Sequence, residues 1–233
     1  MGYGMPPGVV LLFVAMAAIF VAVVVWAIQA EKKRREALIN FAAQNGWRFT
    51  QRDDRYARMW QGEPFRLFGG QAKEIFEGIW APTGHHFIAF GYSYTETHTD
   101  AQGHRTSTTY HFEVRALGLP RALPRLSISS EGFWTKAGKL FGGQDIEFES
   151  DDFSRAFRVT ADDARFAYGV IHPQFMEWML GPGQTIVPWR IDNAYLVTFE
   201  SGQLDINRFP HRLSLMADLA RQIPEPVWTT YGR

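Results

Sequence analysis

From Val9 to Ile28 the chain reads VVLLFVAMAAIFVAVVVWAI, twenty residues without a charge or a proline. As a helix rising about 1.5 Å per residue, this run is about 30 Å long, the thickness of a bilayer's hydrocarbon core. A core helix of a soluble domain is rarely apolar on every face for that length. The many β-branched residues do not oppose helix, because in lipid each backbone group must be bonded within the segment. Trp26 stands near the end of the run, where an indole suits the membrane interface. Residues 1–8 carry no Lys or Arg, the run exceeds a usual signal-peptide core, and no clear small-residue cleavage site follows it. The run therefore reads as an uncleaved membrane anchor.

The flanks give it a direction. Lys32, Lys33, Arg34 and Arg35 follow at once, whereas the N-terminal side offers only the α-amino group. Basic residues beside a span stay cytoplasmic. The expectation is a single-pass protein of the inner (plasma) membrane, N-terminus outside and all that follows inside. The same tetrad attracts anionic headgroups by about 1 kcal/mol per basic residue near the surface. The bilayer is thus the first expected partner.

Residues 1–30 make the tail and anchor, and 31–233 are long enough for one soluble domain, with a subdomain boundary conceivable near 130–144. The 24 basic and 24 acidic side chains balance, and no basic stripe follows the tetrad. The electrostatic footprint of a nucleic-acid binder is missing. The chain has no Cys, which removes disulfides, thiol nucleophiles and thiolate metal sites. Abundant Phe, Trp and Tyr favour β-rich packing over a helical bundle. The expected class is α+β: the membrane helix, then a mostly antiparallel sheet with a few packed helices.

Residues 31–45 continue the anchor helix to a stop at Gly46, with Leu38 and Phe41 placed to pack on the domain. Short strands are expected around Trp47–Phe49 and in 60–68, broken by Asp53-Asp54 and by Gly62-Glu63-Pro64, and a further strand over 72–80. The clearest pattern is a hairpin of 86–96 and 106–116. Ile88, Phe90, Tyr92 and Tyr94 alternate with small residues, and Tyr110, Phe112 and Val114 alternate with His111, Glu113 and Arg115. Such alternation marks strands with one apolar face. Matching the aromatic faces pairs Tyr92 with Tyr110, Phe90 with Phe112 and His98 with His104. Further expectations are kinks at Leu119-Pro120 and Leu123-Pro124, a strand at 126–129 and a loop at 130–144. After these come strands at 145–149 and 155–160, and a helix from Ala164 capped by Asp162 or Asp163. A break at His172-Pro173, a hairpin of 184–190 and 194–200 turning at Asp192-Asn193, and a helix over 206–223 complete the pattern.

Five of the seven histidines lie between 85 and 111. His98, Asp100 and His104 form a candidate divalent-metal site at the hairpin tip, since imidazole and carboxylate suit zinc, copper or nickel. A loop tip offers no supporting outer shell, and a solvated polar loop fits the same residues. The pairs Asp53-Asp54, Asp151-Asp152 and Asp162-Asp163 suit turns and helix caps better than acid–base work, because adjacent strand residues point apart. No nucleophile elbow, phosphate loop, zincin helix or dinucleotide fingerprint is present, so no catalytic or cofactor-binding residue is assigned and no cofactor is expected. The opposite hairpin face, with Ser93, Thr95, Thr97, Ser107 and Thr109, suits solvent, and its edge suits a partner strand.

The segments Trp60-Gln-Gly-Glu-Pro-Phe65, the Tyr92-to-Phe112 hairpin, Leu119-Pro with Leu123-Pro, and Phe148-Glu-Ser-Asp-Asp-Phe153 with Phe157-Arg-Val159 resemble a family of bacterial membrane-anchored proteins carrying a domain of unknown function. The resemblance implies a membrane-associated role and supplies no catalytic residues. The reading is a membrane-tethered, non-enzymatic binding or scaffolding module with a protein partner at the membrane. Two alternatives stand beside it: a hydrolase or metal-dependent enzyme using the His-rich hairpin 85–111, and recognition of the lipid surface.

Overall fold

The protein is described by a computed structural model over residues 7–65, 70–100, 102–130, 143–186 and 188–233. It divides into two compact units, Met1–Asn45 and Gly46–Arg233.

The first unit is one helix, α1 (Pro7–Gln44). Its apolar stretch has a mean hydropathy of 3.0 and buries nothing, which makes it long and apolar enough to cross a membrane. Every described side chain from Leu11 to Ile28 is exposed, so the helix presents hydrocarbon on all sides. The Asn45 side chain donates to the Phe41 carbonyl at 2.8 Å, and Gly46 follows at φ +68°, the left-handed turn that stops a helix.

The second unit is built on a seven-stranded, wholly antiparallel sheet. In order the strands are β1 (Arg48–Arg52), β2 (Gln71–Trp80), β3 (His85–Thr99), β4 (Arg105–Ser130), β5 (Gln144–Ile146), β6 (Phe157–Ala161) and β7 (Trp189–Ser201). Strand β4, 26 residues long, is the spine. It pairs with β3 along its first half and with β6 along its last residues, and β7 runs beside both halves.

Four expectations need correction. The hairpin has Tyr92 opposite Phe112, Tyr94 opposite Tyr110 and His98 opposite Thr106, two residues from the expected register. A shift of two keeps every side chain on its face, so alternation cannot detect it. The tip decides: Asp100 accepts from the backbone N–H groups of Gln102 (2.9 Å) and His104 (2.8 Å), with Gly103 at φ +86°. Next, Pro120 and Pro124 do not separate strands. They lie inside β4, where its register against β7 slips between Gly118 and Leu123 and again before Leu126. Proline is tolerated at such bulges because no ladder bond needs its missing N–H. Third, Asp192-Asn193 is no hairpin turn. Asn193 takes φ +57° opposite Leu123, at the irregularity where β4 and β7 bend together, and a 3₁₀ turn (Pro182–Ile186) precedes β7. Fourth, 60–65 is no strand. A 3₁₀ turn at Tyr56–Arg58 leads into an irregular cover, and 66–68 lie outside the described residues. The expected loop and subdomain boundary near 130–144 likewise fall mostly on 131–142, outside the described residues.

That cover explains one face of the sheet. Trp60 stacks parallel to Phe90 (6.3 Å between centroids), and Phe65 meets Tyr92 at 5.0 Å. The buried Arg190 guanidinium donates to the Glu63 carbonyl (2.9 Å) and lies 5.6 Å from the Phe65 ring centroid. Burial pushes its pKa down to about 10, still charged at neutral pH. The other face is closed by α5 (Phe209–Gln222), whose Phe209, Leu213, Met216 and Ala220 are buried. Phe209 meets Phe76, Phe87 and Trp47 at 5.5–5.6 Å. A last helix, α6 (Glu225–Tyr231), follows Pro224.

Between β5 and β7 stand α2 (Asp151–Ala156), α3 (Ala164–Val170) and α4 (Pro173–Leu180). Ser150, Asp163 and His172 cap them by accepting from backbone N–H groups of their first turns. Asp163 accepts from both Arg165 (2.8 Å) and Phe166 (3.2 Å). Asp163→Ala is expected to cost about 1 kcal/mol, read as a small fall in the urea midpoint at unchanged slope; an unchanged midpoint contradicts the cap's role.

Candidate functional site

Three regions bear chemistry: the hairpin arm, a buried charge network and a cavity beside α3 and α4.

The arm is the part of the hairpin beyond the sheet. Strand β2 pairs with β3 only to Ser93, and β7 pairs with β4 only from Phe112. Among the described residues, no strand pairs with the outer edges of 94–99 and 105–110. Residues 105–111 are all exposed. The two strands are held to one another by their ladder and by hydroxyl bonds of Thr95 with Thr109 (2.9 Å) and Thr97 with Ser107 (3.0 Å). On the opposite face Tyr94 stacks on Tyr110 (5.1 Å) and Phe112 (5.9 Å), an aromatic ladder running from the core into solvent.

Of the expected tip residues, Asp100 and His104 come together and His98 stands apart. His98 lies opposite Thr106 with Nε2 3.8 Å from Glu96, while His104 Nδ1 is 3.1 Å from Asp100. Asp100 spends its oxygens on the turn, and the backbone N–H of His104, above all, holds its carboxyl below the ordinary range. His85 contacts the Gly118 carbonyl (2.9 Å) and His86 lies 3.4 Å from Glu77. Among the described residues no group of three His, Asp or Glu side chains is placed to hold a metal ion. In the first unit, Trp26 and residues 32–35 are exposed, and Lys32 lies 3.9 Å from Glu36, one turn on.

The charge network was hidden by the strand pattern, which placed Glu113 and Arg115 on a solvent face. They lie instead beneath α5. Arg115 is fully buried, with Nη1 3.1 Å from Glu200 and Nη2 2.5 Å from Glu113. The second contact is a charge pair without hydrogen-bond alignment. Glu200 also holds Arg208 and Arg212 at 2.9 Å. Arg212 donates to the Thr185 carbonyl, tying α5 to the turn before β7. Burial raises the Glu113 carboxyl above its ordinary range, with Arg115 pulling the other way. The arrangement joins β4, β7 and α5.

The cavity, about 580 Å³, is lined by Glu147, Phe148, Glu149 and Ser150 after β5, by Tyr168 on α3, and by Ile171, Pro173, Met176, Glu177 and Leu180 around α4. Pro173, Met176, Glu177 and Leu180 share one helical face at i, i+3, i+4, i+7. Phe148 meets Tyr168 edge-on (5.4 Å, 70°) and Phe153 likewise (5.5 Å, 79°). The Tyr168 hydroxyl donates to the Glu147 carbonyl at 3.2 Å, which fixes the ring. Volume and lining suit a small organic ligand. No sequence motif marks this site; its residues come from three segments that only folding brings together.

No protein-family model matches the chain. No curated protein matches its sequence. Among solved structures it is similar to the crystal structure of the mycobacterial trehalose monomycolate transport factor A, TtfA, at 10% identity and a TM-score of 0.57. The match covers 80% of this chain and 94% of that one. At this identity the likeness is one of fold.

Proposed function

We propose that the protein is a single-pass membrane-anchored module that binds a partner protein and is not itself an enzyme. Its domain is held on the cytoplasmic side of the inner membrane. The observation that carries this reading is the arm, a two-stranded ribbon whose outer edges have no pairing strand among the described residues. A strand edge presents a row of unpaired N–H and C=O groups, and natural proteins usually cover, charge or shorten it. The occupant that satisfies such a row is an extended segment of another protein added as a strand. The exposed helix α1 supports the tether, and Lys32, Lys33, Arg34 and Arg35 support the orientation. That a protein of this fold is described as a transport factor favours, by analogy of fold alone, a role beside other membrane components.

Photo-crosslinking amino acids at Thr97 and Thr108, in cells carrying the full chain, test the docking. A discrete adduct from the arm, absent when the probe is moved to Tyr168, is expected. Equal labelling from all three positions, or none from the arm, overturns the reading. Protease added to spheroplasts should leave the second unit intact; its digestion overturns the orientation.

A further inference from the structure

The carboxylates of the cavity, Glu147, Glu149 and Glu177, are exposed. In the same stretch of chain, Asp145 pairs with Arg158 and Asp152 with Arg155. Elsewhere Asp53, Asp54, Glu77, Glu113, Asp192, Glu200 and Asp218 each have an arginine. Glu147, Glu149 and Glu177, like Asp151 and Asp162 nearby, have no ion pair among the described residues, and no described Lys or Arg lines the cavity. Three exposed carboxylates around one hollow give it a negative rim, which favours a cationic occupant. Between them the wall is not polar. Phe148 and Tyr168 meet at 70° and form an aromatic corner, and Ile171, Met176 and Leu180 supply an apolar floor.

These two properties select one class of occupant. An inorganic cation needs oxygen or nitrogen ligands converging at about 2.0–2.6 Å, and no described group of three such side chains is so placed. A neutral apolar molecule would use the floor and leave the carboxylates unanswered. A cation whose charge is spread over alkyl groups satisfies both. Its methyl or methylene groups lie on the ring faces, which are electrostatically negative, and its charge is answered by the surrounding glutamates. Methionine adds a polarizable, adaptable surface against such groups.

We propose that this cavity binds an alkylammonium group, with Phe148 and Tyr168 as the aromatic corner and Glu149 and Glu177 as the counter-charges. The proposal is independent of the arm: the cavity is built by 147–180 and the arm by 94–110. The alkylammonium is carried either by a soluble amine or by a lipid headgroup.

The full-length protein in a neutral detergent, titrated calorimetrically with choline, tests it. Saturable binding is expected. The isostere of choline with carbon in place of the quaternary nitrogen should bind at least about tenfold more weakly. Glu177→Gln, on the exposed side of α4, and Tyr168→Ala should each weaken choline by about tenfold. Tyr168→Phe keeps the ring face and should retain most of the affinity. If Tyr168→Ala proves unstable, Glu177→Gln and the isostere still decide. Absence of choline binding, equal binding of the isostere, or an unchanged affinity in Glu177→Gln overturns the proposal. Nanodiscs separate the sources. Loss of the choline titration when phosphatidylcholine is added to phosphatidylglycerol discs assigns the site to a headgroup, and an unchanged titration assigns it to a soluble amine.

Discussion

Replacing Arg115 with alanine is expected to destabilise the second unit by about 3–5 kcal/mol, because it strands carboxylates that folding has taken out of water. Glu113 is 3% exposed, and among the described residues the hydrogen bond it keeps without Arg115 is a long one, 3.4 Å, from the Asp205 backbone N–H. Glu200 retains Arg208 and Arg212, so Glu113 bears most of the loss. For a domain of this size the expected fall in Tm is about 6–20 °C. The effect carries a pH signature. Glu113 already has a raised carboxyl pKa in the folded protein, so its neutral form is favoured there. A raised folded pKa contributes stability that is present below the unfolded value and is lost as pH rises through the folded one. Removing Arg115 raises it further, so the variant's deficit should be largest near neutral pH and shrink toward pH 5. The double variant Glu113→Leu/Arg115→Met removes both charges and should recover much of the loss. Thermal unfolding at two pH values reads all three. A deficit independent of pH would show that Arg115 acts by packing alone.

The second large effect lies in the anchor. Ala18→Arg with Val21→Arg places two guanidiniums near the middle of the apolar stretch of α1, at about 2.5–3.5 kcal/mol each on an insertion scale. Leu11 to Ile28 otherwise offer only apolar or small side chains to their surroundings, with no neighbouring element of that unit to pair a charge. The wild-type chain should sediment with membranes after carbonate washing, and the double variant should move largely to the soluble fraction. A variant still resistant to carbonate would mean that the run is not what holds the protein.

What was legible in the sequence is what periodicity can carry. An apolar run without interruption, the alternation around Phe90 and Phe112, and the stripe Phe209, Leu213, Met216, Ala220 each lead to the element found. Register was not legible, since a two-residue slip leaves parity untouched and the choice rests on Asp100 accepting from two backbone N–H groups. Asp192-Asn193 misled because αL geometry serves a bulge as well as a turn. Glu113 and Arg115 misled because alternation on one strand cannot report that α5, ninety-odd residues later, covers its polar face. The cavity could be glimpsed only in the spacing of Pro173, Met176, Glu177 and Leu180, which alone looks like any amphipathic turn.

The long spine strand also sets a timetable. Phe112 pairs with Ser201 and Ile128 with Trp189, so the partner of β4 leaves the ribosome long after β4 itself. At about 5–20 residues per second, intervals of about 60 to 90 residues last about 3–18 s. The N-terminal span is available for insertion before that, and contacts so distant in sequence are slow to close. During this interval the nascent hairpin waits, already tethered, with an aromatic face and the β7-side edge of β4 unpaired. Chaperone demand should therefore peak while 131–189 are being translated, and slowing translation there should lengthen the vulnerable period more than slowing it anywhere earlier.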